Sequence, residues 1–273
     1  MTVALSKLNF RDVGGLRAVD GRVIRPNLIF RSEGPANFMA AHHEELEAIG
    51  FKTICDLRSA IEREEAPNDW AGPDCRMLHL DINIDIRAQG EESDPADEHD
   101  WGDLWGSLRN DPTAERAHWV MSESYRHMPA ALLPNMKLIV QSLIDGDVPM
   151  MIHCTAGKDR TGVSVGLLLL LAGVGHDDVI ADYQRSVIFG ENMWVTGAIE
   201  VGFNKMFGFM PDRDVVDATT GVNPDYLESA LAEVRKRWGT VADYFTAAGV
   251  DNAMQARLRE AMLEPARADT SAN

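Results

Sequence analysis

The sequence predicts an α/β fold, a central sheet flanked by helices. Three observations carry that expectation. Short apolar runs of strand character alternate with helical stretches along the first two-thirds of the chain. One run, "VPMMIHC" (148–154), is apolar on both faces, as a strand must be in a sheet covered on two sides. The last third reads as a succession of helices, adding extra C-terminal helices to that core.

Taken in order, "RVIRPNLIFRS" (22–32) has strand character interrupted by Pro26. "AHHEELEAIG" (41–50) is a helix with Leu46 and Ile49 inward, stopped by Gly50. "KTICDLRS" (52–59) is a short strand and turn, and "RMLHLDINI" (76–84) is another strand. Pro112-Thr113 starts a helix over "AERAHWVMSESYRHM" (114–128), and "NMKLIVQSLIDG" (135–146) makes a second. The buried strand 148–154 follows, then a helix from about residue 160. Asn223 caps a helix with Pro224 in its first turn, Leu227, Leu231, Val234 and Trp238 on one face, and Gly239 as its stop. Shorter helices occupy 240–248 and 251–264, closed by Pro265. With no repeat and no Pro/Ser-rich linker, residues 1–265 read as a single domain, and 266–273 as a disordered tail.

Composition narrows the function classes. The net charge of −17 repels nucleic acid and anionic membranes. Three cysteines, Cys55, Cys75 and Cys154, have no Cys-x-x-Cys spacing, so the expected setting is reduced and cytoplasmic. The start has no apolar signal region. The longest apolar run, Val163 to Val174, falls short of the roughly 20 residues that a membrane span needs. Seven carboxylates without a Lys or Arg lie between Glu91 and Asp103, a solvated loop or a flap over a nearby site. His42 and His43 sit ~100° apart on a helix and cannot chelate one ion together, so no metal is expected.

The chemistry concentrates in "PMMIHCTAGKDRTGVSVGLLLLLAG" (149–173). A buried strand ends at Cys154, a loop containing Gly157 follows, and a helix begins near Arg160. That order makes a cradle in which loop N–H groups and the positive helix end suit a tetrahedral oxyanion. The same cradle stabilises a thiolate, making Cys154 nucleophilic at neutral pH. Arg160 has the planar fork that grips two phosphate oxygens. The implied reaction is attack of sulfur on phosphorus, a cysteinyl-phosphate, then hydrolysis to inorganic phosphate. No cofactor is called for.

"HCTAGKDRTG" resembles the phosphate loop of the protein tyrosine phosphatase superfamily, and more narrowly that of the bacterial tyrosine/serine phosphatase family. "NFRDVGGL" (9–16), "FRSEGP" with "CDLRS" (55–59), "MSESYRHMP" (121–129) and "GVNPDYL" (221–227) are similar to further segments of that family. The resemblance implies a tyrosine-phosphatase-like fold, Cys154 as nucleophile and Arg160 as phosphate ligand. His153, Thr155, Ala156, Gly157, Lys158, Thr161 and Gly162 would form the rest of the loop around the phosphate. His153 would orient it from behind, and the Thr161 hydroxyl would assist release of phosphate from sulfur. Lys158 and Asp159 set the group apart from other tyrosine phosphatases. The implied substrate is a phosphorylated protein or a phosphoinositide, the latter suited by the extra charge of Lys158.

The general acid stays open between Asp159, inside the loop, and Asp81, at the end of the "RMLHLDINID" strand, with Asp85 next. Arg58 is either an ion-pair scaffold with Asp56 or a direct substrate contact. Cys55 could neighbour the strand ending at Cys154, and a reversible disulfide would need Cα atoms within ~7 Å. A phosphate-recognition module without turnover and a rhodanese-like sulfurtransferase are the alternatives. The first is opposed by Cys154 and Arg160 both being present, the second by the Arg and Thr in this order.

Overall fold

The computed structural model describes residues 4–68, 74–82 and 104–266. The first part of the chain forms β1 (Phe10–Asp12), β2 (Arg22–Ile24), β3 (Ile29–Ser32), α1 (His43–Ile49), β4 (Thr53–Asp56), α2 (Ala60–Glu65) and β5 (Arg76–His79). Then come α3 (Leu104–Asn110), α4 (Ala114–Asp145), β6 (Met150–His153), α5 (Asp159–Ala172) and α6 (His176–Gln184). The last part holds α7 (Val187–Thr196), α8 (Ala198–Phe207), α9 (Arg213–Thr220), α10 (Pro224–Trp238), α11 (Val241–Ala247), α12 (Asn252–Met262) and β7 (Leu263–Pro265). Among the described residues no helix is long and apolar enough to cross a membrane.

The main sheet has the order β1-β3-β6-β4-β5, with β1 antiparallel to β3 and the other four strands parallel. All four residues of β6 are buried, because both faces of the sheet are covered. Ile29, Cys55, Met150 and Ile152 join the core formed with α4, α5 and α10. Phe30, Ile54 and Met151 face the opposite way and pack with Phe38, Leu46 and Phe51. The register sets the functional edge. Ser32 and Asp56 are both opposite His153, and His79 is opposite Asp56, so the four parallel strands end in line. The residues after them, Glu33, Leu57, Leu80 and Cys154, therefore share one rim, the usual place for a ligand in such a sheet.

Three local expectations are corrected. The stretch 114–146 is not two helices but one 32-residue helix, α4, with Pro129 and Pro134 inside it. An interior proline costs about 3 kcal/mol. Against that, Tyr125, Met128, Leu132, Met136, Ile139 and Leu143 are all buried along one continuous row. At about 1.5–3 kcal/mol each, their burial outweighs both prolines. The stretch 22–32 is not one strand but two, in different sheets: β2 pairs with β7, and β3 joins the main sheet. Asn27, after Pro26, has φ 57°, and its N–H donates to Asp12 Oδ2 at 2.7 Å, fixing the turn between them. The last helix ends at Met262, and Leu263–Pro265 form β7, where Pro265 can sit because the two-stranded ribbon is all edge. The acidic stretch 91–103 and all but the first residue of the tail lie outside the described residues.

Candidate active site

The site is built on the loop Cys154–Lys158 between β6 and α5. Gly157 has φ +65°, and a Cβ there would lie 2.4 Å from backbone atoms of Ser32 and Glu33. The residue must be glycine both for the left-handed turn and for the close approach to the end of β3. Three successive loop carbonyls are held by outside donors. Gly34 N–H donates to Thr155 O at 3.0 Å, Asn9 Nδ2 to Ala156 O at 2.7 Å, and Arg31 Nη2 to Gly157 O at 3.0 Å. In a trans peptide the N–H points opposite to the carbonyl. Pinning these carbonyls outward therefore turns the N–H groups of Ala156, Gly157 and Lys158 the other way, as an oxyanion cradle requires.

The donors are themselves fixed. Asp182 on α6 pairs with Arg11 (Nε–Oδ1 2.8 Å) and Arg31 (Nη1–Oδ2 2.7 Å), all three side chains buried. Burial pushes the Asp182 carboxyl up, but the charges of Arg31 and Arg11 outweigh it and hold the group at about 2. Arg11 Nη1 also donates to Asn9 Oδ1 at 2.8 Å, which orients the Asn9 amide toward Ala156. Both arginines reach Ser186 Oγ. The segments "NFRD" and "FRS" are thus the back wall of the loop.

Arg160, in the first turn of α5, meets Glu62 of α2 in a two-pronged pair, Nη1–Oε2 2.6 Å and Nη2–Oε1 2.7 Å. Glu62 also accepts from the Thr155 hydroxyl and, in a capping box, from Ser59 N. Burial pushes the Glu62 carboxyl up, yet the hydrogen bonds and charge of Arg160 hold it far below the ordinary range. Sequence reasoning alone misses Glu62. Its only signal there is the Ser-x-x-Glu spacing of a capping box. Arg58 forms a buried pair with Asp56 (Nη2–Oδ2 2.7 Å, Nε–Oδ1 2.9 Å) and donates to Ala66 O, so its fork is engaged in holding β4 to the end of α2.

His153 is buried behind the loop. Its Nδ1 lies 3.1 Å from Cys154 O and its Nε2 3.2 Å from Asn68 Nδ2. A neutral ring protonated on Nδ1 satisfies both contacts. Burial keeps the ring neutral, lowering its pKa to about 4 despite the nearby Asp56 carboxylate. Cys154 is 1% exposed. The Thr161 hydroxyl, one residue beyond Arg160, is buried with no hydrogen-bond partner among the described residues. Gly162 lets the first turn of α5 approach the Tyr183 ring, which a Cβ would meet at 2.9 Å. Lys158 is buried, its Nζ donating to Thr219 O (3.0 Å) and Gly221 O (2.9 Å) at the end of α9.

The two carboxylates considered as acid are placed differently. Asp159 opens α5 beside Arg160, and its Oδ1 accepts from Tyr125 Oη at 2.6 Å. Asp81 follows the edge strand β5, has φ 44° and pairs with Arg63. Asp85 lies outside the described residues. Cys55 is opposite Ile152, two residues short of Cys154 on the neighbouring strand. Strand spacing puts their Cα atoms about 8 Å apart, beyond the disulfide limit. Burial also raises the Cys55 thiol to about 12, so both position and reactivity disfavour a redox partnership.

A strand-end cysteine, an arginine six residues on and a pinned loop between them define the class of cysteine-dependent phosphatases. Comparison with known proteins agrees. The model of the tyrosine phosphatase family matches residues 4–264, and the chain belongs to that family. It is 27% identical to the triple specificity protein phosphatase PtpB of Mycobacterium tuberculosis, over 93% of this chain and 96% of the relative. It is 28% identical to a Cupriavidus necator protein provisionally named a tyrosine-protein phosphatase, over 86% of this chain and 79% of the relative. A tyrosine-protein phosphatase of Nostoc commune is 31% identical over 55% of this chain and 45% of the relative. The chain is a cysteine-dependent phosphatase acting on a phosphorylated substrate.

Proposed function

We propose that this enzyme hydrolyses phosphomonoesters on proteins, phosphotyrosine first, with Cys154 as nucleophile, Arg160 as phosphate clamp and Asp159 as general acid. The observation that carries the reading is the loop itself, whose carbonyls are drawn outward while Cys154 and Arg160 close it at either end. The Cys154 thiolate forms a bond to phosphorus as the ester P–O bond breaks. Asp159 gives its proton to the departing oxygen. Water then attacks phosphorus, Asp159 takes up a proton, and sulfur leaves as the thiolate with phosphate as product. The unpartnered Thr161 hydroxyl is available to donate to that sulfur. His153, Thr155, Ala156, Gly157 and Gly162 shape the loop, and Arg58 braces β4 rather than touching substrate.

The choice of Asp159 rests on its place in the loop next to Arg160. Asp81 sits two strands from β6 and is committed to Arg63. A substrate with a good leaving group needs little protonation, which separates the two. Asp159→Asn should lose about 10²-fold or more in kcat/KM on phenyl phosphate and about tenfold or less on p-nitrophenyl phosphate. Asp81→Asn should stay within about threefold on both. Equal losses on both substrates for both variants would remove both from the acid role and leave Asp85.

On substrate class, the Lys158 ammonium is spent on two backbone carbonyls and adds little to the loop's charge. A net charge of −17 further disfavours docking on an anionic bilayer. Both points favour a phosphoprotein over a phosphoinositide. The name of the mycobacterial relative supports tolerance of more than one ester class. Against a panel of phosphopeptides and short-chain phosphoinositides, kcat/KM should be highest for phosphotyrosine, inhibited by orthovanadate and insensitive to EDTA. A phosphoinositide at the top of the ranking would overturn the assignment. Three free cysteines, two of them buried, suit a reducing cytoplasm as the place of action.

A further inference from the structure

We propose that Tyr125 is a positioning residue for the general acid, fixing the Asp159 carboxyl group so that its second oxygen carries the proton to the leaving group. The inference rests on the assignment of Asp159 as that acid.

The arrangement is a short buried chain of hydroxyls ending on the carboxylate. Tyr125 on α4 is 0% exposed, and its hydroxyl lies 2.6 Å from Asp159 Oδ1 and 2.7 Å from the Tyr183 hydroxyl. A phenol has one proton to give. The one on Tyr125 goes to Asp159, so Tyr183 must be the donor to Tyr125, and the chain runs Tyr183 to Tyr125 to Asp159. Burial, first of all, raises the pKa of both phenols, so both keep their protons throughout the working range. Neither ring can swing away. Tyr183 is packed edge-on to Tyr125 at 6.2 Å and seated against Gly162 in the first turn of α5, and Tyr226 lies 5.6 Å from Tyr125 on another side.

Oδ1 is thus an acceptor whether or not the carboxyl is protonated. Lys158 Nζ, 3.4 Å from the same oxygen, adds to the bias. Oδ2 has no hydrogen-bond partner among the described residues. The proton of the acid form therefore resides on Oδ2. The Asp159 side chain keeps 16% exposure, enough for a substrate oxygen to reach it, while its anchor is sealed. An acid held in one rotamer by a rigid donor loses less freedom at the transition state than one that must be ordered there.

The test uses the full-length enzyme and four variants: Tyr125→Phe, Tyr183→Phe, Asp159→Asn and the double variant Tyr125→Phe/Asp159→Asn. Tyr125→Phe keeps the ring and its packing, and its thermal midpoint is recorded alongside. It should lose about tenfold or more in kcat/KM on phenyl phosphate, a part of what an acid contributes, but less than about twofold on p-nitrophenyl phosphate. Inhibition by inorganic phosphate should not change. Tyr183→Phe should show the same leaving-group dependence at smaller size. In the Asp159→Asn background, Tyr125→Phe should cost nothing further. Equal loss on both substrates, or further loss on top of Asp159→Asn, would make Tyr125 merely structural. If Asp159→Asn is leaving-group dependent and Tyr125→Phe is not, only this inference falls. If Asp159→Asn is not, the acid assignment and this inference fall together.

Discussion

Cys154→Ser should reduce turnover of p-nitrophenyl phosphate to background, a loss of about 10⁴-fold or more, while leaving the phosphate site intact. The side chain is buried, and serine is nearly isosteric, so the loop has no reason to move. On the proposed mechanism, what changes is the nucleophile. An alcohol is a far weaker nucleophile than a thiolate and needs a base to activate it. His153 is turned away, with its Nδ1 on the Cys154 carbonyl and its Nε2 on Asn68. Binding behaves differently, because the cradle is backbone plus Arg160. Titration calorimetry with a phosphotyrosine peptide should give a Kd within about threefold of wild type, since neither the loop N–H groups nor Arg160 are altered. Mass spectrometry of acid-quenched wild type should trap a phosphoryl adduct that the variant lacks. A serine variant retaining more than a few per cent of activity would sink the thiolate mechanism.

How far the site was legible depends on how local each feature is. The strand before Cys154 is readable because β6 is apolar on both faces, and the loop because strand end, glycine, arginine and helix start fall within ten residues. The partners that hold the loop are not local. Glu62 precedes Arg160 by 98 residues, and Arg31 and Asp182 are 151 apart. In isolation "EREE" looks like a solvated helix face and Asp182 like one more carboxylate in an acidic chain. Only the register, which ends β3, β6 and β4 in line, turns them into one assembly. Lys158 is a case where spacing and placement diverge. Its spacing promised charge for a phosphorylated headgroup, and the fold buries it on the end of α9 instead. For α4, a local rule about proline lost to a continuous buried row that a window of fifteen residues cannot weigh.

Arg160→Lys should lower kcat/KM by about 10³-fold, the upper range for deleting a preorganised donor that faces developing charge. The guanidinium has two tasks. Its Nη1 and Nη2 hold Glu62, and Nη1 also reaches Leu57 O at 3.3 Å. Nε has no partner among the described residues, so the Nε edge is left for an oxyanion. An ammonium offers three donors from a single nitrogen and cannot present a paired edge to Glu62 and another to phosphate at once. Lysine is nonetheless the informative replacement. Arg160→Ala would leave the Glu62 carboxylate buried without a counter-charge, at a cost of about 3–5 kcal/mol, and would confuse lost folding with lost catalysis. Lysine keeps the pair neutral, so the urea midpoint should move little while activity falls. Glu62→Gln isolates the other task. It keeps a carbonyl oxygen for one prong and for Thr155, but loosens the aim of the guanidinium, and should cost about tenfold in kcat/KM. The two effects should not add. In the Arg160→Lys background there is no fork left to aim, and Glu62→Gln should then cost less than about threefold. Near-normal activity of Arg160→Lys would show that the arginine serves only the fold, and full additivity with Glu62→Gln would show that Glu62 acts by some route other than aiming Arg160.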